Sequence, residues 1–186
     1  MYGEPRVVGE LDSAFEHARS GNVDAWESVY RLCRPTLYSF ARLRLATDEQ
    51  AEDAVSETVA RAISSADRYQ PGRAGVIGWL IGINRNVVRE MYRSGSRTTA
   101  VAEVRDDPFD HGPRPEDDVL RAAEHQSVRD AFGQLSDEEQ TVLELRVIAG
   151  LDSEAVAELM GKGAGAIRMA QSRALHHVRT LLQGQL

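Results

Sequence analysis

The last helical stretch of the chain carries side chains that can contact the edges of DNA bases. On a helical wheel of about 100° per residue, the residues within about 60° of Ile167 are Ala170, Gln171, Ala174, Val178 and Leu181, and the candidate contacts on this helix lie on the far side. An arginine can donate two hydrogen bonds to guanine O6 and N7, and a methionine can touch a thymine methyl group. The candidate base contacts are Arg168, Met169, Ser172 and Arg173, and the candidate phosphate contacts are Lys162, His176 and Arg179.

Three consecutive helices are predicted to position these side chains. Ser136 and Glu139 have the S-x-x-E spacing of a capping box, which begins a helix that ends at Gly150. Asp152 is placed to cap a second helix that stops at Gly161. A third helix follows from residues 163–165, and this order is typical of a helix-turn-helix that inserts its final helix into the major groove. The alternative is that the polar stripe is only a solvated face.

The rest of the chain is also predicted to be helical. Apolar spacing indicates helices between residues 11 and 46, with a break at Gly21 and a new helix beginning at Pro35. Thr47 or Asp48 can cap the next helix, which runs to about Ser65, and residues 69–78 contain one proline and three glycines, which predicts a loop. A further helix is expected over residues 79–93.

The composition changes between the two helical groups. Residues 106–118 carry six acidic residues and one arginine. We therefore expect an all-α protein of two small domains joined by a flexible acidic linker, with a helix-turn-helix in the second. The predicted ranges are a disordered tail over 1–10, an N-terminal domain over 11–93, a linker over 94–118 and a C-terminal domain over 119–186.

Charge and cysteine content limit the function classes. The net charge is −7, so an acidic chain with local basic faces is expected to bind DNA weakly alone or with a partner that holds it there. Cys33 is the only cysteine, which excludes a disulfide within the chain, and the histidines lack metal-ligand spacing, so no metal and no cofactor are expected.

No run of 18 apolar residues and no leader segment occur. We expect no membrane insertion and a cytoplasmic location.

Three patches in order along the chain give it a resemblance to a known family. The first is AEDAVSE over residues 51–57, the second is WLIGINRN over residues 79–86, and the third comprises residues 135–151, 154–157, 165–168 and 173–174. The second patch is similar to a W-L-x-x-I-A-x-N motif. Together the patches resemble the extracytoplasmic-function sigma factors, the compact two-domain sigma subunits of bacterial RNA polymerase.

The resemblance implies a function and places residues within it. It implies a sigma factor that binds core RNA polymerase and promoter DNA and directs initiation at −10 and −35 elements, with no catalysis of its own. The core polymerase contacts would be Asp53, Ser56 and Glu57, although Ser56 stands where the family has Gln. The −10 contacts would be Tyr69, Arg73, Asn86, Arg89 and Arg93, and the −35 contacts would be those of the last helix. The resemblance also implies control by an anti-sigma factor or another protein regulator.

Alternatives to these assignments remain open at the level of sequence. Asp53 and Glu57 lie one helical turn apart and fit a solvated face equally well. Tyr69 could anchor its loop by packing, and Asn86 could cap its own helical turn, whereas Trp79 is assigned to the core. The second function class is a stand-alone helix-turn-helix regulator with an N-terminal dimerisation or sensor domain. A third class, an enzyme built on Asp53 and Glu57, lacks histidine, cysteine or metal partners.

Overall fold

The computed structural model describes the backbone of residues 5–99 and 126–184, and the side chains of residues 9–93 and 126–184. Every regular element in those ranges is helical, which confirms the predicted all-α class with two helical domains. The N-terminal domain consists of α1 (Pro5–Arg19), α2 (Ala25–Arg42), α3 (Asp48–Ser65), a 3₁₀ turn (Ala66–Arg68) and α4 (Gly75–Thr99). The C-terminal domain consists of α5 (residues 126–133), α6 (Asp137–Leu143), a π-helical turn (Glu144–Ile148), α7 (Ser153–Met160) and α8 (Ala164–Gln183).

The first helix begins earlier than the sequence predicts. It starts at Pro5, so the expected disordered tail over residues 1–10 is wrong for residues 5–10, and residues 1–4 lie outside the described part. Proline suits the first turn of a helix because its missing N–H would have no partner there. Leu11, Phe15 and Ala18 follow at helical spacing and are buried in the core.

Helix α2 passes through Pro35 without ending, so the prediction of a new helix there is wrong. A proline inside a helix removes one backbone hydrogen bond. A single buried stripe crosses the proline, and its burial favours one continuous helix. The stripe consists of Val29, Cys33, Leu37, Phe40 and Ala41. Burial also raises the pKa of the Cys33 thiol to about 12, which fits a small core residue.

Helix α4 is longer than predicted at both ends. It begins at Gly75 because the carboxylate of Asp12 in α1 accepts a hydrogen bond of 2.8 Å from the backbone N–H of Val76. Gly75 has φ of +59°, a conformation that glycine adopts without strain. The predicted loop is therefore confined to residues 69–74. At its C-terminal end the helix continues to Thr99, so residues 94–99 of the predicted linker are helical, and residues 100–125 lie outside the described ranges.

Local capping signals are found where the sequence places them. Thr47 and Gln50 form a capping box at α3, and Ser136 and Glu139 form one at α6. The Glu139 carboxylate accepts hydrogen bonds from Ser136 and lies 3.2 Å from the His177 ring, and these contacts hold its pKa below the usual range. The Asp152 side chain caps α7 through the N–H of Ala155 at 2.7 Å, and α7 ends at Gly161 with φ of +63°.

The polar side chain of Asn84 is buried where α2, α3 and α4 meet. Its Nδ2 donates a hydrogen bond of 3.0 Å to the carbonyl oxygen of Leu37, and its Oδ1 lies 2.9 Å from the hydroxyl of Thr58. Asn84 and Thr58 are fully buried. Because buried polar groups need partners, this arrangement fixes how the three helices pack.

Replacement of Asn84 by alanine, the residue at this place in the W-L-x-x-I-A-x-N motif, is expected to destabilise this chain. The Asn84→Ala variant leaves a cavity and removes a buried partner from Leu37 and Thr58, which should lower the free energy of unfolding by about 1–3 kcal/mol. Urea denaturation followed by circular dichroism measures the change. The matched control is Asn86→Ala on the exposed side of α4, expected to stay within about 0.5 kcal/mol of the parent. Equal stability of the two variants would contradict the structural role of Asn84.

Candidate nucleic-acid and protein-binding surfaces

The outer face of α8 is built as the sequence predicts. Ile167, Ala170 and Ala174 are buried and attach the helix to the C-terminal domain. The opposite side is exposed and consists of Arg168, Met169, Ser172, Arg173, His176 and Arg179. The N-cap is Gly163, which offers no side chain to cap the helix. The first turns of α8 therefore present backbone N–H groups and basic side chains outward, the arrangement by which a recognition helix meets DNA.

Acidic residues from neighbouring helices pair with two of the basic side chains predicted to contact DNA, Lys162 and Arg168. Lys162 Nζ lies 2.7 Å from Glu138 Oε2 of α6. Arg168 donates a hydrogen bond of 3.2 Å to the Ser153 hydroxyl, and its guanidinium lies 3.6 Å from the Glu154 carboxylate. The sequence gives no sign of these pairs, since residues 161–186 contain no acid and the partners come from earlier helices.

The candidate −10 residues do not all lie on one surface. Asn86, Arg89 and Arg93 are exposed on α4 at positions i, i+3 and i+7, which share a helix face, and Arg73 is exposed in the preceding loop. Tyr69 is only 8% exposed. Its ring lies 5.0 Å from the Phe15 ring and 5.3 Å from the Trp79 ring, between centroids. The structure thus has Tyr69 as a packed loop anchor, and base stacking would require it to leave this cluster.

The candidate polymerase contacts line a shallow groove between α3 and α4. Asp53, Ser56 and Glu57 are exposed on its α3 side, and the remaining lining residues are Ala60, Arg61, Val87, Glu90 and Met91. Arg61 bridges the two helices through hydrogen bonds to Glu90 at 2.8 Å and to Glu57 at 2.7 Å. Hydrogen bonds with Glu90 and Glu57 raise the pKa of Arg61, and that with Arg61 lowers the pKa of Glu90. The groove therefore combines apolar surface with ordered carboxylates, which suits a basic, partly apolar protein surface.

A cluster of arginines, not predicted from the sequence, lies where the two domains meet. Arg44 forms an ion pair with Glu144 of the C-terminal domain, and Arg85 donates a hydrogen bond of 2.6 Å to the Thr141 hydroxyl of that domain. Burial, followed by the charges of Arg85 and Arg89, lowers the pKa of Arg44 to about 10. The available signal was Glu144, a charged residue between the apolar residues Leu143 and Leu145. This position predicts that the Glu144 carboxylate is buried, but it does not predict that Arg44 is its partner.

Two further classes of site can be considered within the described residues. No described helix is long and apolar enough to span a membrane. Nor do the described residues contain a group of three or more His, Cys, Asp or Glu side chains placed to hold a metal ion.

Comparisons with known proteins identify the family. The family model for Sigma-70 region 2 matches residues 29–98, and the model for Sigma-70 region 4 matches residues 131–180. The chain is 30% identical over 183 residues to the ECF RNA polymerase sigma factor BldN of Streptomyces coelicolor, covering 95% of this chain and 69% of that protein. It is 28% identical over 174 residues to the sigma factor SigD of Mycobacterium tuberculosis, covering 91% of this chain and 82% of that protein.

Solved structures share the fold. CnrH, solved in complex with the cytosolic domain of CnrY, superposes with a TM-score of 0.67 at 22% identity, covering 94% of this chain and 98% of that chain. The sigma factor RpoE of Bartonella quintana, solved with the anti-sigma factor NepR, superposes with a TM-score of 0.57 at 24% identity. The match covers 84% of this chain and 96% of that chain. From the family models and the relatives, the chain belongs to the extracytoplasmic-function group of the sigma-70 family, as the sequence patches predict.

Proposed function

We propose that this chain joins core RNA polymerase and contacts promoter DNA with two separate surfaces, one on each domain. As a sigma factor it directs promoter-specific initiation of transcription. The observation that carries the assignment of surfaces is the exposed face of α8, which places Arg173, His176 and Arg179 outward without ion pairs to other described residues. Such a face gains phosphate or base contacts without losing internal ones.

The C-terminal domain is assigned the −35 element, and the N-terminal domain the −10 element. Arg168, Met169, Ser172 and Arg173 would contact base edges, and Lys162, His176 and Arg179 would contact phosphates. Arg73, Asn86, Arg89 and Arg93 would contact the −10 strand, with Tyr69 joining them only if its ring leaves the aromatic cluster. The protein is proposed to act in the cytoplasm and to have no catalytic activity of its own.

The α3–α4 groove is assigned to core polymerase through Asp53, Ser56 and Glu57. Ordered carboxylates beside apolar surface favour a basic partner surface, and the network around Arg61 holds Glu57 in place before binding. An anti-sigma factor or another protein regulator is a proposed further partner. Such a protein is present in the solved RpoE complex, whose fold this chain shares.

Run-off transcription with core polymerase tests the function as a whole. The purified chain is expected to confer initiation from particular start sites that core polymerase alone does not use. The alternative of a stand-alone helix-turn-helix regulator is not favoured, because both sigma-70 family models match in order along the chain. A stand-alone regulator would instead bind its promoter tightly without polymerase, recognise a symmetric operator and leave the choice of start site unchanged.

Replacement of the two base-reading arginines is expected to weaken −35 recognition. Arg168→Ala and Arg173→Ala should each reduce it by about 1–3 kcal/mol, because each removes hydrogen bonds to a base edge. Transcription is compared on a promoter with an intact −35 element and on one with that element scrambled. The control is Arg19→Ala, an exposed arginine on α1. Unchanged output from the intact promoter with both arginines replaced would remove the assignment.

Replacement of Asp53 is expected to weaken the complex with core polymerase. Asp53→Ala removes one exposed carboxylate from the groove and should cost about 1–2 kcal/mol of binding free energy while the helical signal is retained. A pull-down with tagged core polymerase at graded concentrations measures the affinity. The control is Glu27→Ala, an exposed acid at the start of α2. Recovery of the Asp53 variant at the parent level would count against the groove as a docking site.

A further inference from the structure

One turn of α1 contacts both ends of the loop formed by residues 69–74. Beyond the end of the loop, Asp12 Oδ1 accepts a hydrogen bond of 2.8 Å from the backbone N–H of Val76. At the beginning of the loop, the centroid of the Phe15 ring lies 5.0 Å from that of the Tyr69 ring, with 74° between the ring planes. Asp12 and Phe15 are three residues apart, so they lie within one turn of the helix and share a face. Both ends of the loop are therefore attached to the same short piece of α1.

The aromatic anchor at the beginning of the loop is fully buried. The Phe15 ring also lies 5.3 Å from the Trp79 ring of α4 and 5.7 Å from the Trp26 ring of α2, between centroids. All three ring pairs of Phe15 have the edge-to-face arrangement, which adds to the free energy gained by burial. Phe15 thus joins three helices behind the loop, and Tyr69 cannot leave the cluster without loss of these contacts.

The polar anchor at the end of the loop is packed closely against the backbone. A Cβ atom built on Gly75 would lie 3.1 Å from both carboxylate oxygens of Asp12. The N–H of Gly75 donates a hydrogen bond of 3.0 Å to the carbonyl oxygen of Gly72, which closes a turn within the loop. A carboxylate at the first turn of a helix also interacts favourably with the helix dipole. Asp12 therefore fixes where α4 begins and how the loop enters it.

Between its two anchors, the loop exposes the four consecutive residues 70–73. Tyr69 and Ala74, on either side of them, are buried. Arg73, the candidate −10 contact, is the last of the exposed residues and lies two residues before α4 begins. A short segment that is fixed at both ends has few conformations, so DNA has less disorder to remove when it binds. The anchors therefore set the position of Arg73 relative to Asn86 before DNA arrives.

We propose that α1 is a positioning element for −10 recognition, in which Asp12 and Phe15 hold the 69–74 loop in the conformation that presents Arg73 to the −10 strand. The proposal rests on the proposed function, which assigns Arg73 and α4 to that strand. Asp12 and Phe15 are positioning residues that act through the loop and contact no DNA themselves. The Sigma-70 region 2 model matches residues 29–98, so both residues lie outside the matched range.

Three variants of the full chain separate a positioning role from a general loss of stability. The test variant is Asp12→Ala, which removes the cap of α4. Asp12→Asn keeps an acceptor oxygen in the same place and serves as the rescue variant. The matched control is Asp152→Ala, which removes the cap of α7 in the other domain, where the Asp152 side chain accepts a hydrogen bond of 2.7 Å from the N–H of Ala155.

Two measurements are made on each variant. Hydrogen-exchange mass spectrometry follows the backbone amides of residues 69–78 in the free chain. Run-off transcription with core polymerase gives the −10 discrimination, which is the ratio of output from a promoter with an intact −10 element to output from one with a single base of that element changed. The −35 discrimination is measured in the same way, and urea denaturation gives the stability of each variant.

Asp12→Ala is expected to accelerate exchange over residues 69–78 and to lower the −10 discrimination, each by about 2- to 30-fold, the range that corresponds to the loss of one helix cap. Its −35 discrimination and its recovery with core polymerase in a pull-down should stay at the parent level. Asp12→Asn should return both readouts to within about twofold of the parent. Asp152→Ala should keep the −10 discrimination of the parent, although it also loses a cap.

Unchanged exchange or unchanged −10 discrimination in Asp12→Ala would overturn the proposal. An equal loss of −10 discrimination in Asp152→Ala would do so as well, because it would trace the effect to general stability. If Asp12→Asn lost as much as Asp12→Ala, the cap hydrogen bond would be excluded as the cause. A parent chain whose start-site choice ignores the −10 element would instead refute the proposed function, so the two failures are distinguishable.

Discussion

The burial of Glu144 is the constraint on which the mutual arrangement of the two domains depends. A carboxylate removed from water is stable only with a cation and further hydrogen-bond donors nearby, and Arg44 is the cation that the structure supplies. Such pairs contribute little net stability compared with an apolar contact, yet removal of one member leaves a charge without a partner. The pair therefore acts mainly by specifying one docking geometry between domains that are joined through residues 100–125.

The pairing of cations with carboxylates also explains how an acidic chain can bind DNA. The net charge of −7 is distributed so that Lys162, Arg168 and Arg61 each lie beside carboxylates of the same domain, while Arg173 and Arg179 carry no such pair in the described ranges. Phosphates that replace an internal carboxylate gain less than phosphates that meet a free guanidinium. The exposed outer face of α8 is therefore where DNA binding would gain most, and the internally paired cations would contribute less.

Features set by neighbouring residues could be predicted from the sequence, and features set by distant ones could not. Thr47, Ser136 and Asp152 cap their helices as expected because a cap depends on residues within three positions. The buried and exposed sides of α8 also follow from periodicity alone. The start of α4 could not be predicted in this way, because the side chain that caps it, Asp12, belongs to α1. The continuity of α2 through Pro35 could not be predicted either. Sequence reasoning left Tyr69 open between packing and base stacking and gave no partner for Arg44, because the partners of both residues lie in other helices.

A double-mutant cycle on Arg44 and Glu144 tests the central claim most directly. Single-molecule energy transfer between dyes on the two domains gives the ratio of chains with docked domains to chains with separated domains. It is measured for the parent, Arg44→Gln, Glu144→Gln and the variant with both changes. If the pair specifies the docking of the domains, the two effects are non-additive by about 1–3 kcal/mol, and the combined variant loses little more than either single one. Effects that add within about 0.5 kcal/mol would show that the two side chains act independently and would contradict the account.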